Sequence, residues 1–152
     1  MKKSLLIAIS ILIGSFAFSQ TTVKSDFRVK LNCSQKYGLT TTGGDFVLTV
    51  SYDENSIKFN TSEGQSMDSY DVAKKTDKYV IGNTGGNYCF YDIKKKQFYY
   101  IDYFMSRYFT AGYGPDYSEV KQTVLKMMDL LKDGKTQKDV IQHLITQTEF
   151  DF

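Results

Sequence analysis

Residues 88–105 read YCFYDIKKKQFYYIDYFM, and this stretch decides the fold. Two runs dense in Tyr, Phe and Ile flank Lys94, Lys95 and Lys96. Aromatic and β-branched side chains favour strands, and a short lysine cluster favours a solvated turn. The pattern predicts an antiparallel hairpin with strands at 88–93 and 98–105. A three-residue loop over the lysines pairs Ile93 with Gln97, so that odd-numbered residues share a face. That face carries Cys89, Tyr91, Ile93, Gln97, Tyr99, Ile101, Tyr103 and Met105, and the other carries Tyr88, Phe90, Asp92, Phe98, Tyr100, Asp102 and Phe104.

Upstream, Phe27, Val29, Leu31 and Cys33 alternate with Arg28, Lys30 and Asn32, the period of a half-buried strand. Phe46, Leu48, Val50 and Tyr52 alternate in the same way, and Asp53-Glu54-Asn55 turns the chain toward Ile57 and Phe59. Met67, Tyr70 and Val72 allow an irregular strand, and Tyr79–Ile81 a short one ahead of the turn at Asn83–Gly86. Thr42-Gly43-Gly44-Asp45-Phe46 echoes Thr84-Gly85-Gly86-Asn87-Tyr88, which reads as recurring glycine turn chemistry that opens a hairpin each time. Short turns between successive strands predict an antiparallel meander of about five to seven strands spanning 24–109.

Beyond Pro115 the apolar period changes. Asp116 with Glu119 three residues on marks a helix start, and Tyr117, Val120, Val124, Met127, Met128 and Leu131 form one stripe up to Gly134. Thr136 with Asp139 opens a second helix with Val140, Ile141, Leu144 and Ile145 on its apolar face. The expected fold class is therefore α+β, an antiparallel sheet packed with a C-terminal helical hairpin over 116–149.

Lys2 and Lys3 precede a mostly apolar run from Leu5 to Phe18, and Ala17 and Ser19 supply small side chains for a cut before Gln20. This is the pattern of a secretory signal peptide over 1–19, with one domain over 20–152. Export places the mature chain in the periplasm or outside the cell. No other apolar run is long enough to span a bilayer, which needs about 20 residues. Of the 19 basic residues in the chain, the leader removes two, leaving 17 against 17 acidic ones. That balance argues against nucleic acid as a partner, because phosphate-backbone affinity needs clustered Lys and Arg.

Cys33 and Cys89, exported together, are a possible disulfide if their strands are neighbours. His143 sits between Asp139 and Gln147 on a polar helix stripe and reads as a solvated histidine. No motif for a metal, a cofactor or a nucleophile is present in the sequence.

Two functional readings follow. The favoured one is a non-catalytic binding or interaction protein, with a protein or small-molecule partner contacted by Tyr88, Phe90, Phe98, Tyr100, Phe104, Arg107 and Tyr108. Tyr and Arg are residue types enriched at interfaces. The alternative is a small hydrolase using Asp92 and Asp102 on that aromatic face. The three-residue loop spaces those carboxylates by roughly 13 Å, wider than the about 5–9.5 Å of paired glycosidase carboxylates.

Overall fold

A computed structural model describes residues 19–33, 39–62 and 68–150. Eight strands among them follow one another in an antiparallel meander: β1 (Ser19–Cys33), β2 (Leu39–Tyr52), β3 (Ser56–Thr61), β4 (Asp68–Lys75), β5 (Tyr79–Thr84), β6 (Asn87–Asp92), β7 (Gln97–Phe104) and β8 (Arg107–Tyr113). Pairing of β1 with β8, from Arg28 opposite Tyr113 to Cys33 opposite Tyr108, closes the sheet into a barrel. Helices α1 (Tyr117–Lys132) and α2 (Gln137–Phe150) complete the α+β fold.

The strand count exceeds the expected five to seven. The difference lies where composition masked the strand period. Arg107–Tyr113 runs past the expected end of the meander at 109 and forms β8, which pairs on both sides. The irregular strand expected around Tyr70 and Val72 is present as β4, Asp68–Lys75, with its register shift between Val72 and Lys74. The two glycine motifs also differ: Gly85 and Gly86, at φ of 56° and 88°, turn β5 into β6, whereas Gly43 lies inside β2 opposite Phe27. Of the expected leader over 1–19, residues 1–18 lie outside the described residues, and Ser19 opens β1.

Two apolar layers hold the fold. The barrel interior is filled by Leu48, Val50, Tyr52, Ile57, Phe59, Tyr70, Val80, Cys89, Tyr91, Phe98, Ala111 and Tyr113. An eight-stranded barrel has room for its own side chains to fill it, and here rings do much of the filling. Phe59 lies 4.6 Å from Phe98 and 5.9 Å from Tyr100, centroid to centroid. The second layer is outside the barrel, where Val29, Leu31, Tyr79, Ile81, Phe90, Tyr99 and Ile101 pack under Val120, Val124, Met127, Met128 and Leu131 of α1 and Val140, Ile141, Leu144 and Ile145 of α2. Strands β5–β7 are thus buried on both faces, which explains why their sequences carry apolar side chains at successive positions.

Close contact between the layers depends on Gly112 of β8. A Cβ there would stand 2.6 Å from Val124, 2.8 Å from Tyr99 and 2.8 Å from Val120. The apolar face of β1, Val29 and Leu31, is claimed by the helices, so its polar face turns toward the barrel interior. Arg28 accordingly donates from Nη1 to the Tyr113 hydroxyl at 3.4 Å.

The helical hairpin is built from local bonds. Asp116 accepts the Glu119 N–H at 2.9 Å, Gly134 takes the left-handed conformation at φ 81°, and the Thr136 hydroxyl accepts the Asp139 N–H at 3.2 Å. Asp139 in turn accepts the Thr136 N–H at 2.8 Å, a reciprocal cap. The Thr136 bonds and nearby Lys135 hold the Asp139 carboxyl below its ordinary pKa.

Candidate functional site

The hairpin that decides the fold has a different register from the one its lysines suggest. Asp92 pairs with Gln97, leaving four loop residues, Ile93 to Lys96. The Asp92 side chain sets that loop by accepting the Lys95 N–H at 2.8 Å through Oδ1, and Lys96 closes it at φ 54°. Asp at the first position of a type I turn is a sequence signal for this longer loop. An even loop length inverts the relation between the strands, so Phe90 faces Tyr99 across the ladder and Cys89 faces Tyr100.

This register puts Asp92 and Asp102 on opposite faces. Asp92 lies outside the barrel under the helices, accepting the Thr148 hydroxyl at 3.1 Å. Asp102 lies on the inward face, where it accepts the Tyr70 hydroxyl at 3.4 Å. Five residues of β7 separate Asp102 from the partner of Asp92, about 17 Å at strand rise. The expected aromatic face is divided in the same way. Phe90, Tyr88 and Tyr108 belong to the helix-covered layer, and Phe98 and Tyr100 to the barrel interior.

Around Asp92 the β6–β7 hairpin and both helices enclose a polar cleft of about 350 Å³. Its walls hold one continuous hydrogen-bond network. The Tyr99 hydroxyl donates to Gln97 Oε1 at 2.9 Å, Gln97 Nε2 donates to Glu119 Oε2 at 2.6 Å, and Lys95 Nζ pairs with Glu119 Oε1 at 2.6 Å. Burial pushes the Tyr99 phenol pKa upward, so this hydroxyl stays protonated and can donate. Asp92 and Gln97 are each only 4% exposed, whereas the Lys95 and Glu119 side chains reach solvent. Gln122, Thr123, Lys126 and Gln147 complete the polar lining over Phe90 and Leu144. Sequence reading missed the cleft because its residues come from one hairpin and two helices spread over 90–148.

His143, expected in water, is half-buried beside α1. Desolvation, with Lys126 adding repulsion, lowers its pKa below the ordinary 6.5.

At the opposite end of β7 the hairpin to β8 projects an apolar tip. Tyr103, Phe104 and Met105 are 49%, 61% and 77% exposed. Phe104 pairs with Arg107, so Met105 and Ser106 alone form the loop, and both have positive φ, 49° and 60°. Positive φ at both central residues is type I′ geometry, which normally selects Asn and Gly. The Tyr103 N–H donates to Asn87 Oδ1 at 2.9 Å, and the Tyr103 and Tyr108 rings meet at 4.8 Å, bracing the base of the tip. Phe104, Arg107 and Tyr108 of the expected binding set therefore cluster here. Tyr88, Phe90, Phe98 and Tyr100 do not.

The disulfide expectation is corrected as well: Cys89 is a free, buried thiol. Its strand β6 is separated from β1 by β7 and β8. Three strand spacings amount to about 14 Å, beyond the roughly 4.4–6.8 Å between the Cα atoms of a bridge. Burial raises the Cys89 thiol pKa far above its ordinary value. Among the described residues no group of three or more His, Cys, Asp or Glu side chains is placed to hold a metal, and no helix is long and apolar enough to cross a membrane. No protein-family model, curated protein or solved structure matches the chain.

Proposed function

We propose that this protein is a non-catalytic interaction protein, exported as its leader suggests, that engages a protein partner through the β7–β8 tip. The observation that carries the reading is the exposure of Tyr103, Phe104 and Met105 in succession on a two-residue turn of unfavourable φ. Large apolar side chains in water and strained backbone each cost free energy in the isolated chain, and both are features of contact sites. Arg107 beside the rings suits a partner with an apolar pocket and an acidic rim. Paired-aspartate hydrolysis has no comparable support, because Asp92 and Asp102 face different layers.

A photo-reactive residue introduced at position 106 tests the reading in the native extracytoplasmic fraction, with a matched probe at the exposed Lys138 of α2 as reference. The expected result is a discrete protein adduct from position 106 that disappears when Tyr103, Phe104 and Met105 are all replaced by Ser. Equal adducts from both positions, or adducts with lipid alone, overturn the proposal.

A further inference from the structure

We infer that the cleft between the β6–β7 hairpin and the two helices binds a small acidic polyhydroxylated molecule, of the sugar-acid class. The inference is independent of the tip, which lies at the other end of β7, about 23 Å away at strand rise.

The cleft volume of about 350 Å³ falls in the range of small-molecule sites, and a recess of about 150 Å³ adjoins it, sharing Asp92, Lys95 and Thr148. Layers that merely pack together close to crystal-like density, whereas here the sheet and helices stand apart around polar groups. Hydrogen bonds within the protein orient several of those groups. Asp92 is held by the Lys95 N–H and the Thr148 hydroxyl, and Glu119 by Lys95 and Gln97.

The lining chemistry selects the ligand class. Gln122 and Gln147 each carry a donor and an acceptor and Thr123 adds a hydroxyl, while Gln97, Asp92, Glu119 and Thr148 already bond one another or Lys95 and Tyr99 and shape the wall. Vicinal hydroxyls, each able to donate and accept, are matched by such an array. Charge then favours an anion. Lys95 and Lys126 balance Asp92 and Glu119 in the cleft itself, and Lys78 and Lys94 of the adjoining recess add two cations. The Glu119 charge is already met by Lys95, so the rim is left with a positive excess for a ligand carboxylate.

The test is titration of the isotope-labelled mature chain with D-glucuronate, D-glucose and acetate, read by amide NMR shifts at Gln97, Gln122 and Thr148. Glucose carries hydroxyls without the charge, and acetate the charge without the hydroxyls. Saturable shifts are expected with glucuronate below about 10 mM, ten times a millimolar dissociation constant. Glucose is expected to bind at least about tenfold more weakly, the scale of one lost charge-assisted hydrogen bond. Lys126→Gln and Gln122→Ala, both at exposed helix positions, should each weaken glucuronate severalfold or more with unchanged far-UV circular dichroism. Absence of saturable shifts overturns the inference. So do equal shifts with acetate, which would mark non-specific anion attraction, and wild-type affinity for glucuronate in both variants. The triple Ser variant of the tip should bind glucuronate as the wild type does, so failure of either proposal is read separately.

Discussion

Replacing Met105 by Asn and Ser106 by Gly is expected to stabilise the protein while leaving the apolar tip weaker as a contact. Both residues hold positive φ, 49° and 60°, in a two-residue loop. A non-glycine residue in the left-handed region costs about 1 kcal/mol or more. Asn tolerates that region through its short polar side chain, and Gly occupies it freely, so the pair relieves about 2 kcal/mol of strain. Added backbone freedom of Gly in the unfolded chain returns about 0.4–1 kcal/mol. Met105 is 77% exposed, so its loss removes little packing. The net expectation is a gain of about 1 kcal/mol, or about 4 °C in Tm for a domain of this size. Urea unfolding followed by tyrosine fluorescence, with thermal melts alongside, measures it. Unchanged or reduced stability at constant m-value would refute the strained-turn reasoning. A gain in stability combined with undiminished competition by the unlabelled variant against the position-106 adduct would separate the strain from function.

The remaining expectations concern the two buried layers. Gly112→Ala should destabilise by about 1–2 kcal/mol, because the new methyl meets stiff Val120 and Val124 side chains and the Tyr99 ring at under 3 Å. A double mutant with Val124→Ala should cost less than the sum of the two single changes, measured in the same urea titrations. Since the folded-state pKa of His143 lies below 6.5, the unfolded chain takes up the proton first as pH falls. Stability should therefore be full above pH 6.5, decline below it until the folded-state pKa is passed, and decline less in His143→Gln when urea midpoints are compared across that window. The Cys89 thiol, buried and raised in pKa, should resist a disulfide reagent in the native state of a Cys33→Ser background and react at once in denaturant.

Elements whose bonds close within a few residues were legible in the sequence. Asp116 with Glu119, Gly134, and Thr136 with Asp139 set the helix ends through contacts spanning at most a few positions. The alternation around Val29, Leu48 and Ile57 likewise marked strands with one apolar face. The exposed Phe104 and Arg107 of the tip could be singled out as interface-type residues, although their isolation on a type I′ turn could not.

What sequence alone determined is thus a set of local elements and their apolar faces: an α+β chain with antiparallel strands and a helical hairpin. Only the tertiary structure decided how many strands close the barrel, which layer each face joins, and where the polar side chains meet. A strand shows its apolar period but does not specify which of two cores will bury it, and one loop residue more reversed the relation between Asp92 and Asp102. The cleft is the clearest case. Asp92 and Gln97 face each other on one hairpin, but Glu119 and Thr148 have no relation to them in the linear chain and join them only when the helices fold back over β6 and β7.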